Sequence, residues 1–207
     1  MKQQHTLSAK RLAILISGSG TTLENLAGSI ADEKLSASIA CVISSRPDVY
    51  GLVRAEKLGL PHEVIPRRGF TDAIDFSDAV FSAIGKHQVD LVIMAGFLSL
   101  LHIPPTFENR VLNIHPALLP KYGGRGMHGL KVHQAVIDAG ETTSGCTVHY
   151  ADNQYDHGPI LLQRTCPVLP GDTAELLAHR VFEQERLAYP EAIAHCLANT
   201  KPRMHQQ

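Results

Sequence analysis

The sequence is short of the features that mark membrane, secreted or nucleic-acid-binding chains. No apolar stretch approaches the roughly 20 residues a helix needs to cross a bilayer. Met1 to Lys10 is polar and leads into a short apolar run, so it lacks the core of a signal peptide. Four cysteines, Cys41, Cys146, Cys166 and Cys196, lie far apart with no Cys-x-x-Cys pair. That excludes a disulfide scaffold and reads as buried thiols. No Lys/Arg run exceeds a pair, Arg67-Arg68 being the clearest, and the formal net charge is -1. Bulk electrostatics therefore hold neither nucleic acid nor membrane. Internal repeats and low-complexity segments are also lacking. The expected setting is the cytoplasm and the expected partners are small molecules, for a monomer or homodimer.

What is present suits one α/β domain. A 44% hydrophobic and 19% charged composition is that of a globular protein, and 207 residues can bury a sizeable core. The expected domain spans 11–198, a Rossmann-like half to about residue 110 and a second half after it, between loose tails at 1–10 and 199–207. Apolar runs at Leu12–Ile16, Ser38–Ile43, His62–Ile65, Val89–Met94 and Val111–Ile114 read as strands. Helical patterns run from Thr22 to about Leu35, from an Asp48 cap to Gly59, and from Asp72 onward, where Ala73, Phe76, Val80 and Ile84 form a stripe. Solid apolar strands between helices imply a doubly wound, mostly parallel sheet covered on both faces. Ligands then sit beyond the strands' carboxyl ends. A helix over Leu130–Ala139, two antiparallel strands at Gly145–Tyr150 and Ile160–Val168, and a long helix opened by Gly171-Asp172-Thr173 complete the chain.

Two segments at strand ends carry chemistry. Ser17-Gly18-Ser19-Gly20-Thr21-Thr22 joins the first strand to the first helix, where glycines let backbone amides approach an anion. A phosphate fits better than a dinucleotide, because the third glycine of G-x-G-x-x-G falls at Leu23 and Ser44-Ser45-Arg46, not an acid, ends the second strand. Arg46 keeps an NADP oxidoreductase open as an alternative. In Leu112-Asn113-Ile114-His115-Pro116, period-two geometry puts Asn113 and His115 on the same side, and Pro116 ends the ladder. An amide and an imidazole converging there suit a reaction that builds an oxyanion. Asp156, in the loop Ala151 to Pro159, would raise the pKa of that imidazole and keep it cationic if the two meet. His128 and His133 lack zincin spacing and read as loop and helix-surface residues, and no metal is expected.

Five segments in order, Leu15 to Thr22, Asp90 to Phe97, Leu112 to Pro120, Gly145 to His149 and Asp156 to Ile160, resemble the folate-dependent formyltransferase family, most of all its glycinamide ribonucleotide branch. The resemblance implies transfer of the formyl group of 10-formyltetrahydrofolate to the amine of glycinamide ribonucleotide in de novo purine biosynthesis. It implies that Asn113 bonds the formyl oxygen, that His115 is the cationic partner or proton donor, and that Asp156 holds His115 in that state. By the same resemblance Gly20, Thr21 and Thr22 take the ribonucleotide phosphate and Glu185 its ribose. Leu98, Ser99, Leu100 and Leu101, with Asn113 and the backbone of Ala151 to Asp156, line the folate pocket.

The chain departs from the family pattern at Leu98-Ser99, where Met-Arg is frequent, at Ala73, where an Arg is frequent, and at Phe182, where a polar residue is usual near the phosphate. Arg67 or Arg68 stands as a substitute grip on the folate's glutamate tail. Lys121 and Arg125 lie in a long Gly-rich stretch and are either phosphate contacts or solvated residues. A nucleotide-linked amino sugar remains an alternative acceptor. Initiator tRNA and water are less suited, since those relatives carry extra domains that 207 residues do not accommodate.

Overall fold

The computed structural model describes residues 9–199. Its first strand, β1 (Lys10–Ile16), sends alternate side chains into two layers. Leu12, Ile14 and Ile16 join one core with Leu23 and Leu26 of α1 (Thr21–Ala31) and Leu177, Val181 and Ile193 of α5 (Ala174–Asn199). Ala13 and Leu15 join the other, with Phe76, Val80 and Ile84 of α3 (Ala73–Gly85). A strand covered on both faces has no solvent side to keep polar, which is why this run is apolar throughout.

The other elements are β2 (Ala37–Ser44), α2 (Tyr50–Lys57), β3 (His62–Val64), β4 (Leu91–Met94), β5 (Val111–His115), α4 (Leu130–Asp138), β6 (Thr143–Tyr150) and β7 (Ile160–Pro167). They form a sheet in the order β3-β2-β1-β4-β5-β6-β7. The first five strands are parallel, and β6 and β7 add antiparallel to β5. The chain runs outward from β1 to β3 and then crosses back to β4. That reversal opens a crevice at the carboxyl ends of β1 and β4, where ligands bind in such sheets.

Several expected boundaries move for local reasons. Helix α1 stops at Ala31, because Lys34 and Leu35 turn their amides onto the Ser29 carbonyl and Glu33 adopts a left-handed φ of 61°. Strand β4 starts at Leu91, since Asp90 is occupied by Arg11, whose amide donates to its Oδ2 at 2.8 Å. Asp48 does not cap α2; Val49 holds that position, with no side-chain cap. Asp72 does cap α3, accepting from the amides of Ile74 and Asp75 at 2.8 and 2.9 Å. Of the expected tails, Ala9 is exposed and belongs to no element, Lys10 belongs to β1 and Asn199 closes α5, and residues 1–8 and 200–207 lie outside the described residues. The four cysteines are free and buried.

Tyr189 of α5 ties the helix to the strand ends that carry the crevice. Fully buried, its hydroxyl donates to the carbonyls of Met94 and Leu112 at 3.0 and 2.9 Å. Replacing it with Phe leaves two buried acceptors short of a donor. Tyr189→Phe is expected to lower unfolding free energy by about 1–3 kcal/mol, read from urea midpoints at unchanged slope.

Candidate active site

The site is built outward from β5. Asn113 and His115 share one side of the strand, and the antiparallel register of β6 sets His149 opposite Asn113 and Thr147 opposite His115. Thr147 fixes the turn after His115: its hydroxyl donates to the Ala117 carbonyl at 2.7 Å and accepts from the amide of Leu119 at 3.0 Å. Asp156 arrives from the loop after β6 with a left-handed φ of 53°. Few non-glycine residues tolerate that conformation, and such strain gathers at functional sites.

The carboxylate of Asp156 is the hub. Its Oδ2 accepts from the Gly124 amide at 2.9 Å and lies 3.4 Å from His115 Nδ1. Its Oδ1 accepts from Asn113 Nδ2 at 3.2 Å and lies 3.7 Å from His149 Nε2. Since a carboxylate only accepts, the Asn113 amide nitrogen must face it. The other hydrogen of that nitrogen is directed at His149 Nε2, 3.1 Å away, while His149 Nδ1 faces the Tyr150 carbonyl at 2.9 Å. A carbonyl also only accepts, so His149 donates to it through Nδ1. His115 Nε2 donates to the Tyr122 carbonyl at 2.8 Å. Both polar ends of the β5 pair are thus engaged by protein groups that a substrate can replace.

The charge state differs from the expectation. Burial lowers the His115 pKa below the ordinary imidazole value, and the Asp156 carboxylate and Tyr122 carbonyl only partly offset it. For Asp156 burial pushes upward, but the His149 and His115 rings and the Gly124 amide outweigh it and hold the carboxyl below its ordinary value. Asp156 and His115 do meet, as an ionised carboxylate beside an imidazole that rests neutral at pH 7.

These groups face a cavity of about 720 Å³, within the range of small-molecule sites. At one end stand Ser19, Thr21 and Thr22 at the start of α1, where no side chain caps the helix. Its first amides are free for an anion. Gly20 itself does not line the cavity. A Cβ there would come within 2.6 Å of the Gly51 Cα, so its contribution is close packing at a φ of 75°. Glu185 and Phe182 of α5 form another wall. Part of Glu185 reaches the cavity, yet the surrounding protein pushes its carboxyl up to about 8. Leu98, Ser99, Leu100, Leu101 and Ile103 form a largely apolar part of the lining, together with Ala151, Asp152, Gln154 and Tyr155.

The long Gly-rich stretch divides its cations. Arg125 lines the cavity, whereas Lys121 points away to Glu141 at 2.8 Å. His133, expected on the helix surface, is buried on the apolar stripe of α4 between Val132 and Val136. His149 went unassigned because its partner Asn113 is 36 residues away and only the β5–β6 register joins them. Among the described residues no group of three or more His, Cys, Asp or Glu side chains is placed to hold a metal ion.

Comparison with known proteins agrees with this architecture. A family model described as formyl transferase matches residues 10–193. The phosphoribosylglycinamide formyltransferase of Haemophilus influenzae is 39% identical over 186 residues, 89% of this chain and 85% of that one. The trifunctional purine biosynthetic protein adenosine-3 of Drosophila pseudoobscura pseudoobscura is 40% identical over 189 residues, which are 89% of this chain but 14% of that protein. The crystal structure of phosphoribosylglycinamide formyltransferase from Brucella melitensis has a TM-score of 0.83 at 37% identity and covers 95% of this chain and 100% of that one. With a family model over most of its length, and relatives sharing more than a third of its residues, the chain belongs to the formyl transferase family.

Proposed function

We propose that the protein transfers the formyl group of 10-formyltetrahydrofolate to the amine of glycinamide ribonucleotide, in the cytoplasm, as a step of purine biosynthesis. The observation that carries the reading is the convergence of Asn113, His115 and Asp156 at the end of β5, in one cavity with the uncapped start of α1. The first supplies polar groups for an acyl-transfer centre and the second a seat for the acceptor's phosphate. The names of the relatives point to the same acceptor.

When bound against residues 98–101, the folate supplies an electrophilic formyl carbon. Asn113 Nδ2 gives up His149 Nε2 and donates to the formyl oxygen as negative charge develops there. His115 gives up the Tyr122 carbonyl and, with the ring proton shifted to Nδ1 where Asp156 accepts it, presents the Nε2 lone pair to the reacting groups, takes the proton lost by the attacking amine and returns it to the departing folate nitrogen. Asp156 accepts from Nδ1 and stabilises the imidazolium while it exists, so the neutral resting imidazole is the form ready to take a proton. Thr21 and Thr22 hold the phosphate, Glu185 the ribose, and the chemistry needs no covalent adduct on the protein.

The folate's glutamate carboxylates have a second place to go. A smaller cavity of about 470 Å³ shares Leu98 and Ser99 with the main one and is lined by Arg46, Arg67 and Arg68. Arg67 is anchored, its Nη1 donating to the Phe70 carbonyl at 2.7 Å, whereas Arg68 is exposed. These cations take over the grip that Ser99 and Ala73 do not provide. Arg68→Ala is expected to raise KM for the folate about threefold, as a screened surface contact allows, with kcat and the acceptor's KM unchanged. Steady-state kinetics at two salt concentrations reads this out.

The deciding assay follows consumption of 10-formyltetrahydrofolate by absorbance with glycinamide ribonucleotide, a nucleotide-linked amino sugar, or water alone. Turnover is expected only with the ribonucleotide. Equal consumption in water would make the protein a hydrolase, and preference for the sugar would move the acceptor.

A further inference from the structure

The cavity contains a buried polar side chain that the chemistry above leaves idle. His133, only 4% exposed, sits in the first turns of α4. Its Nδ1 is sealed from solvent with no hydrogen-bond partner, and its ring makes no hydrogen bond to any described residue. Leaving a buried polar atom unpaired costs stability, and in a native protein it calls for a reason. The ring also lines the cavity, beside Asn113, His115 and Glu185.

We propose that His133 is an acceptor-binding residue, presenting its second ring nitrogen, as a neutral donor, to the glycinamide carbonyl of the bound ribonucleotide. The inference rests on the reading of this cavity as the glycinamide ribonucleotide site.

Three observations converge on that assignment. A sealed Nδ1 is least costly as a bare lone pair, because an N–H there would go unsatisfied; the proton then belongs on Nε2, the nitrogen a ligand can reach. Burial, and the nearby charge of His115 when that ring is protonated, lower the His133 pKa to about 4, so the ring remains uncharged at neutral pH. It therefore does not compete with His115 for the amine's proton. Finally, the ring lines the same cavity as His115 and feels that residue's charge, which puts it within reach of the reacting groups. The acceptor's polar group there, besides the amine itself, is its amide. One hydrogen bond there fixes the rotation of the glycyl arm and so the line of attack.

His133→Leu and His133→Gln separate this role from packing. Leucine fills a similar apolar volume and removes the unpaired nitrogen. It is expected to raise Tm by about 2–4 °C while weakening glycinamide ribonucleotide binding about 3- to 10-fold in calorimetric titration of the full chain. KM for the folate should hold within about twofold. Glutamine, whose amide can donate near the position of Nε2, should recover part of the lost affinity. A His133→Leu protein that loses stability and binds the ribonucleotide as tightly as wild type would overturn the proposal and leave a packing role. Equal weakening of folate and ribonucleotide would overturn it as well. If wild type itself fails to bind glycinamide ribonucleotide, the reading of the cavity fails, which is distinct from failure of the His133 assignment.

Discussion

Asp156→Asn is expected to lower kcat by about 10³-fold, near the upper part of what acid–base and oxyanion contributions supply, while KM for the folate changes little. The carboxylate serves three neighbours at once: the Gly124 amide and His115 Nδ1 on one oxygen, and Asn113 Nδ2 on the other. An amide of the same shape has one accepting oxygen. If that oxygen keeps Gly124, the new NH2 faces the NH2 of Asn113, and no negative charge remains to support an imidazolium. The fold should survive, because asparagine tolerates the left-handed φ of 53° that this position requires. Stability should show a pH signature. The Asp156 pKa is held below its unfolded value, so its charge stabilises the native state above that unfolded value and the contribution disappears as pH falls through the folded one. The Tm gap between wild type and variant should therefore narrow toward acid pH. Saturated turnover at the wild-type rate, or a gap that widens in acid, would contradict the assignment.

How far the site could be read from the sequence follows from the range over which each signal acts. The Asn113/His115 pair is a strand-period fact, and β5 carries both on one side because alternate residues share a face. The apolar runs likewise announce a sheet buried on both faces, since Leu12, Ile14 and Ile16 and the intervening Ala13 and Leu15 each have a core to enter. What stayed hidden depends on tertiary register or on backbone atoms. His149 meets Asn113 only because β6 returns antiparallel to β5 after α4, and the Tyr122 carbonyl that engages His115 leaves no trace in residue type. His133 is a different case. It falls on the stripe formed with Val132 and Val136, a helical spacing that placed it inside, and its polarity led to a surface reading. Asp48 shows the reverse error, a residue type suited to capping at a place where the helix starts two residues later. The charge state of His115 was beyond the sequence because it depends on how much burial outweighs one carboxylate.

His115→Ala is expected to reduce kcat by about 10³-fold or more, because no other imidazole can take its place. His149 is held between the Tyr150 carbonyl and Asn113, and His133 has no hydrogen-bond partner at its buried Nδ1 to orient it. Folding should persist at a cost of roughly 2 kcal/mol for the cavity left by a 3% exposed ring, with the Tyr122 carbonyl free to take up water. Two further readouts separate a chemical role from this structural cost. Wild-type kcat/KM should fall on the acid side with a limb below the ordinary imidazole value, since burial lowers the His115 pKa and the neutral ring is the form that takes the amine's proton. That limb should be missing from the variant, whose residual rate follows only the ionisation of the substrates. Imidazole added to the assay should restore part of the rate by entering the space the side chain vacated, whereas it should do nothing for Asp156→Asn, in which the ring is present and its charged partner is lost. A His115→Ala enzyme that turned over at the wild-type rate would remove His115 from the chemistry and leave Asn113 with Asp156 as the working pair.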